Sequence, residues 1–307
     1  MLSTSMQFCG TYTALVTPFR NGVLDIPAYR WLIEQQMAAE IDGIVPVGTT
    51  GESPTLTTEE HKQVIQVAIE AVRNSPVRVI AGTGSNSTAE AIHLTQEAEK
   101  LGAHGALLVA PYYNKPSQEG LYRHYREISV ATKIPLILYN IPGRCGVEIS
   151  ATTVARLVRE CPNIVALKEA GGSAERVSQL RAALPDVFSI LSGDDTMTLA
   201  FLALGAKGVI SVASNMIPKQ VYQMVNFWKM GQTRLAMQLH ERYYSIFKNL
   251  FVETNPVPVK YALSLLYPTI ISEEVRLPLC ELTESSKRCI VNTLQANGIL
   301  NPNPLPL

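Results

Sequence analysis

Neither sign of charge dominates this chain: its 307 residues carry 26 Lys plus Arg against 26 Asp plus Glu, and no basic run stands out. That balance leaves no electrostatic footprint for nucleic acid or an anionic membrane surface, and it points to small-molecule partners. Long apolar runs are also missing. Gly, Lys, Ser or Pro breaks each one well before the ~20 residues a membrane span needs. The N-terminus lacks a charged-then-apolar signal pattern, so a cytoplasmic location is expected. Cysteine is sparse and odd in number: Cys9, Cys145, Cys161, Cys280 and Cys289 form no C-x-x-C. This argues against a disulfide framework and a zinc cluster and favours reduced thiols. No Asp/His group has metal-ligand spacing and no Ser-His-Asp set can be read off, so no metal is expected.

What the chain has in quantity is apolar material, 47% of its residues, enough for a large core. It is organised as a recurring unit. Short β-rich runs begin near Thr11 (TYTALV), Gly43 (GIVPV), Val77 (VRVIAG), Gly105 (GALLVA), Pro135 (PLILYN), Ile164 (IVALK), Val187 (VFSILSG) and Gly208 (GVISVAS). They show little polar alternation, as in a parallel sheet covered on both faces. The intervals leave room for a helix and two loops. In 58–73, Val64, Ile65, Ala68, Ile69 and Val72 recur at helical spacing behind an acidic first turn. Residues 88–101 repeat the pattern and stop at Gly102, a natural C-cap.

Eight such units predict an α/β fold, a (β/α)8 TIM barrel. A doubly wound Rossmann sheet is the competing architecture, disfavoured by the strand count and by the lack of G-x-G-x-x-G after the first run. Gly82-Thr83-Gly84 reads as a tight strand-to-helix turn. From Pro218 onward the texture is helical, broken at Asn255-Pro256-Val257-Pro258 and ending near Asn297-Gly298. The division expected is a catalytic barrel over 1–230 and a C-terminal helical appendage of about three helices over 231–307.

In such barrels chemistry sits at the C-terminal strand ends. Those ends hold Thr17, Thr49-Thr50, Tyr112-Tyr113-Asn114, Tyr139-Asn140, Lys168-Glu169, Asp194-Asp195 and Ser214-Asn215. Ile164-Val165-Ala166-Leu167 leads directly into Lys168. A lysine there either emerges into solvent or is buried enough to lose its proton and attack a carbonyl. Hydroxyls around one amine suit imine chemistry, with a tyrosine passing protons to the carbinolamine.

The ordered set Gly48-Thr49-Thr50-Gly51-Glu52, Pro111-Tyr112-Tyr113-Asn114, Tyr139-Asn140-Ile141-Pro142-Gly143-Arg144, Lys168-Glu169-Ala170 and Leu191-Ser192-Gly193-Asp194-Asp195 resembles the pyruvate-dependent class I aldolase and N-acetylneuraminate lyase superfamily. Within it the chain most resembles the dihydrodipicolinate synthase (4-hydroxy-tetrahydrodipicolinate synthase) family, from about Gly10 to Leu300. The resemblance implies a lyase-class enzyme condensing pyruvate with L-aspartate-4-semialdehyde on the route to diaminopimelate and lysine. No cofactor is implied beyond the covalent imine of pyruvate on Lys168.

The resemblance further implies that Tyr139 transfers protons, that Thr50 links Tyr139 to Tyr113, and that Tyr113 comes from a neighbouring subunit. Thr49 and Thr50 would hold the pyruvate carboxylate, Gly193 and Ile210 would line the pocket, and Arg144 would take the semialdehyde carboxylate. It implies a homotetramer, a dimer of dimers. It also implies an L-lysine inhibitor site at Ser53, Pro54, His61, Asn86, Glu90 and Tyr112. Thr58 departs from that pattern, since lysine-sensitive members often carry a second histidine there. Two alternatives stay open: another pyruvate-dependent aldolase or lyase, of 2-keto-3-deoxy acid or sialic acid type, and a catalytically silent ligand-binding barrel.

Overall fold

The computed structural model describes residues 7–301. Eight parallel strands close on themselves: β1 (Gly10–Ala14), β2 (Gly43–Val45), β3 (Arg78–Gly82), β4 (Gly105–Val109), β5 (Leu136–Asn140), β6 (Ile164–Glu169), β7 (Ser189–Ser192) and β8 (Gly208–Ser211). Each pairs with its neighbours in sequence and β8 pairs with β1, which completes the barrel. Nearly every strand residue is buried, so the apolar runs reflect cover on both faces.

Helices α1 (Ile26–Ala38), α2 (Thr58–Val72), α3 (Thr88–Leu101), α4 (Gln118–Ala131), α5 (Ala151–Glu160), α6 (Ala174–Ala183), α7 (Thr198–Ala203) and α8 (Pro218–Lys229) form the outer layer. Their limits follow local chemistry. Thr57 and Glu60 form a reciprocal capping box at the start of α2, and α3 ends where Gly102 turns left-handed at φ 91°. A two-stranded hairpin, Phe19–Arg20 with Val23–Leu24, follows β1.

The helical stretch after Pro218 divides at Gly231 (φ 76°) into α8 and α9 (Thr233–Asn249). α10 (Val257–Leu266) and α11 (Glu284–Ala296) follow. These last three helices are the C-terminal appendage. It is tied to the barrel by a fully buried ion pair, Lys260 Nζ to Glu52 Oε1 at 2.6 Å. Lys260 also donates to the Thr17 carbonyl at 2.9 Å, and the second Glu52 oxygen accepts the Arg276 backbone N–H at 3.0 Å. Every polar atom of this pair is matched, which is what makes such a buried charge tolerable.

Candidate active site

β5 and β6 run in register with Tyr139 opposite Lys168 and Asn140 opposite Glu169. Because side chains alternate along a strand, Tyr139 and Lys168 share one face and Asn140 and Glu169 the other. Glu169, although adjacent to Lys168 in sequence, therefore belongs to a separate network. Its carboxylate accepts from Arg176 Nε at 2.7 Å, from Asn140 Nδ2 at 3.0 Å and from the Gly171 N–H at 2.7 Å. That network pins the ends of both strands and holds the Tyr139–Lys168 pair in place.

The Lys168 amine lies 4.2 Å from the centroid of the Tyr139 ring, and the side chain is 6% exposed. Burial drives its pKa down from 10.5 to about 7, with Asp195 pulling upward and Arg144 downward. A large share of the amine is therefore neutral and nucleophilic near neutral pH. Gly193 gives the lysine its room: a Cβ there would lie 3.0 Å from Lys168 Cε and 2.7 Å from the Ala170 side chain. Burial likewise raises the Tyr139 phenol to about 12, with Thr49 the strongest opposing influence and Arg144 next. Tyr139 thus stands protonated, a donor beside an amine.

A cavity of about 410 Å³ lies against Tyr139 and is lined also by Thr49, Arg144, Tyr112 and Cys145, whereas Lys168, Thr50 and Gly193 are not among its lining residues. Ser53, Pro54, His61 and Glu90 line the same cavity. Catalytic candidates and candidate inhibitor contacts thus share one continuous space of ordinary ligand size. Burial lowers the His61 pKa, and its Nε2–H donates to the Gly82 carbonyl at 2.8 Å. The neutral ring keeps Nδ1 as its acceptor. Glu90 accepts from the Ser85 hydroxyl. Asn86 does not line the cavity; its amide donates to the Tyr112 carbonyl at 3.1 Å.

Three placements differ from expectation. The two threonines part company: Thr49 is half-buried on the cavity wall beside Tyr139, whose phenol pKa it draws down. Thr50 is 3% exposed, and its oxygen accepts from Asn255 Nδ2 at 3.0 Å. The cause is the loop after β2, where Val47 adopts φ 48° and Glu52 φ 53°. Such left-handed residues destroy any strand-like alternation that would say which threonine faces inward. Ile210 is buried on β8 in register with Tyr12 of β1 and is not among the residues lining the cavity. Gly82 serves close approach rather than a turn, since a Cβ there would meet the Val47 carbonyl oxygen at 2.3 Å.

Tyr113 sits at the outer tip of the β4–α4 loop, 89% exposed and with φ 73°, and it does not line this chain's own cavity. Two polar residues near the site carried no assigned role in the sequence reading. Asp195 is buried with one oxygen held by the Val212 and Ala213 N–H groups at 3.0 and 2.9 Å. Asn255 reaches in from the appendage, far along the chain from every other site residue.

A family model described as the dihydrodipicolinate synthetase family matches residues 7–297. The chain belongs to the dihydrodipicolinate synthetase family. It is 50% identical over 294 residues to a protein of Thermodesulfovibrio yellowstonii named 4-hydroxy-tetrahydrodipicolinate synthase, covering 96% of this chain and 100% of that one. The solved 4-hydroxy-tetrahydrodipicolinate synthase of Methylacidiphilum fumariolicum SolV superimposes with a TM-score of 0.93 at 53% identity, over 95% of this chain and 96% of that one. A dihydrodipicolinate synthase structure from Cyanidioschyzon merolae, described as having lysine bound, matches with a TM-score of 0.92 at 43% identity over 95% and 99% of the two chains.

Proposed function

We propose that this chain condenses pyruvate with L-aspartate-4-semialdehyde to give 4-hydroxy-tetrahydrodipicolinate, with Lys168 as the Schiff-base residue. The observation that carries this reading is a buried amine with a pKa near 7, stacked on a protonated tyrosine in a barrel mouth. The neutral Lys168 amine attacks the keto carbon of pyruvate. Tyr139 donates a proton to the carbinolamine oxygen, which leaves as water and gives the imine. Loss of a methyl proton then produces an enamine whose terminal carbon attacks the semialdehyde aldehyde carbon. The substrate's own amine closes the ring and displaces Lys168, which returns as free amine. Thr49 extends the proton path from Tyr139, and Thr50 holds the pyruvate carboxylate. Arg144 at the rim takes the semialdehyde carboxylate with its planar fork.

The imine itself is the electron sink, so the reaction needs no external cofactor. Tyr113 would act in a neighbour's site, a role its exposure (89%) supports, within a homotetramer built as a dimer of dimers. The barrel over 1–230 would carry the chemistry and the appendage over 231–307 would buttress it. Among the described residues no helix is long and apolar enough to cross a membrane; the biosynthetic reaction is what suggests a cytoplasmic enzyme. L-lysine would bind along the cavity wall at Ser53, Pro54, His61, Glu90 and Tyr112. A relative described as having lysine bound supports lysine as a ligand, and an initial rate unmoved by millimolar L-lysine would remove the site. The direct test of the reaction is product analysis by mass after incubation with both substrates. Consumption of semialdehyde only when pyruvate is present is expected; consumption of a 2-keto-3-deoxy sugar acid instead would replace this substrate pair.

A further inference from the structure

Asn255 lies in the segment joining α9 to α10, 5% exposed, and it meets the barrel mouth at two points. Its Nδ2 donates to Thr50 Oγ1 at 3.0 Å, and its carbonyl accepts from Arg144 Nη2 at 3.2 Å. The first contact has a directional consequence. A hydroxyl has one proton to give, and an oxygen that is already accepting keeps that proton for another partner. Among the described residues Thr50 Oγ1 donates to no protein atom. Its proton is left for a ligand, and an acceptor carboxylate suits it. The amide orientation is set by what each choice strands. As placed, the Asn255 Oδ1 acceptor and one of its two amide hydrogens lack partners among the described residues. Reversed, the amide would consume the Thr50 proton and leave buried N–H groups orphaned, which is the rarer state in folded proteins.

The rest of the segment keeps this contact rigid. Five residues on, Lys260 grips Glu52 at 2.6 Å, so the appendage holds the loop after β2 at Thr50 and again two residues later. We propose that Asn255 is a positioning residue for the keto acid: by donating to Thr50 it turns the threonine proton toward the substrate carboxylate, so the appendage completes the binding mouth. This rests on the reading of pyruvate as the substrate and of Thr50 as its carboxylate contact.

The test uses the full chain and measures borohydride-trapped pyruvate adduct on Lys168 against pyruvate concentration. Asn255→Asp is nearly isosteric but can only accept from Thr50, which reverses the hydroxyl. The pyruvate level giving half-maximal adduct should rise about tenfold to a hundredfold, the range for losing a hydrogen bond to a charged group. The trapping rate at saturating pyruvate should stay near that of the parent, a split that a loosened fold would not give. On a Thr50→Val background, N255D should add nothing further, because the hydroxyl it acts through is gone. Should the buried carboxylate of N255D prevent folding, Asn255→Ala asks the same question with a several-fold rise that also vanishes on T50V. An unchanged half-saturation in N255D, or an equal rise with and without the Thr50 hydroxyl, overturns the inference alone. Absence of any adduct in the unmodified chain overturns the pyruvate reading and this inference with it.

Discussion

Replacing Lys168 with methionine removes an amine that the fold holds at a cost. A pKa that falls from 10.5 to about 7 corresponds to about 5 kcal/mol at about 1.4 kcal/mol per pH unit. Burial is the principal cause, so the loss is carried by the charged form. The unfolded chain binds the proton more tightly than the folded one between pH 7 and 10.5. The penalty is therefore complete below pH 7 and is relieved as pH rises toward 10.5. A methionine of similar length, with no charge to desolvate, should recover roughly 2 to 4 kcal/mol at pH 7 or below, as other apolar replacements of buried charges do. The gain should fade through pH 9 and vanish above pH 10.5. Urea unfolding of parent and K168M at matched protein concentration, repeated from pH 6 to pH 10, reads this directly. Activity should be lost at every pH. A K168M protein less stable than the parent at pH 6, or a stability difference that does not narrow with pH, would refute the picture of a buried amine held near neutrality.

Other substitutions separate the remaining roles. Tyr139→Phe keeps the ring that Lys168 packs on but removes the proton donor; kcat should drop by about 10²- to 10⁴-fold, while slow borohydride trapping of pyruvate persists. Arg144→Ala should raise the KM for semialdehyde by more than about tenfold while moving the pyruvate KM far less, and Arg144→Lys should recover little of it because one ammonium cannot grip a carboxylate bidentately. Lys260→Met strands the Glu52 carboxylate in a dry site and should cost about 3 to 5 kcal/mol in chemical denaturation, with part recovered when Glu52→Leu is added.

Much of the barrel was readable along the chain, for a physical reason. Parallel strands buried on both faces must be continuous apolar runs, and that is how Ile164–Glu169 and Leu136–Asn140 appear. α2 and α3 announced themselves through an acidic first turn and a terminal glycine. Lys168 and Tyr139 could be placed because each ends such a run, and the register then sets them side by side. The reading failed where backbone leaves regular geometry. Thr49 and Thr50 are consecutive residues on a loop bracketed by left-handed Val47 and Glu52, and no period in the sequence says which faces the phenol. Asn255 was invisible for another reason: its contact with Thr50 spans 205 positions, and nothing local in the Thr254-Asn255-Pro256 turn marks a side chain that reaches a barrel mouth. Asp195 shows only as an acidic residue after a strand; its burial depends on β8 closing over it with two backbone N–H groups.

The central claim is that Lys168 is the covalent nucleophile, and incubation with pyruvate followed by borohydride and peptide mass mapping tests it most directly. A reduced pyruvate adduct confined to the peptide carrying Lys168, and absent from K168M, is the predicted result. An adduct on the other buried lysine, Lys260, or no adduct on any lysine, would contradict it.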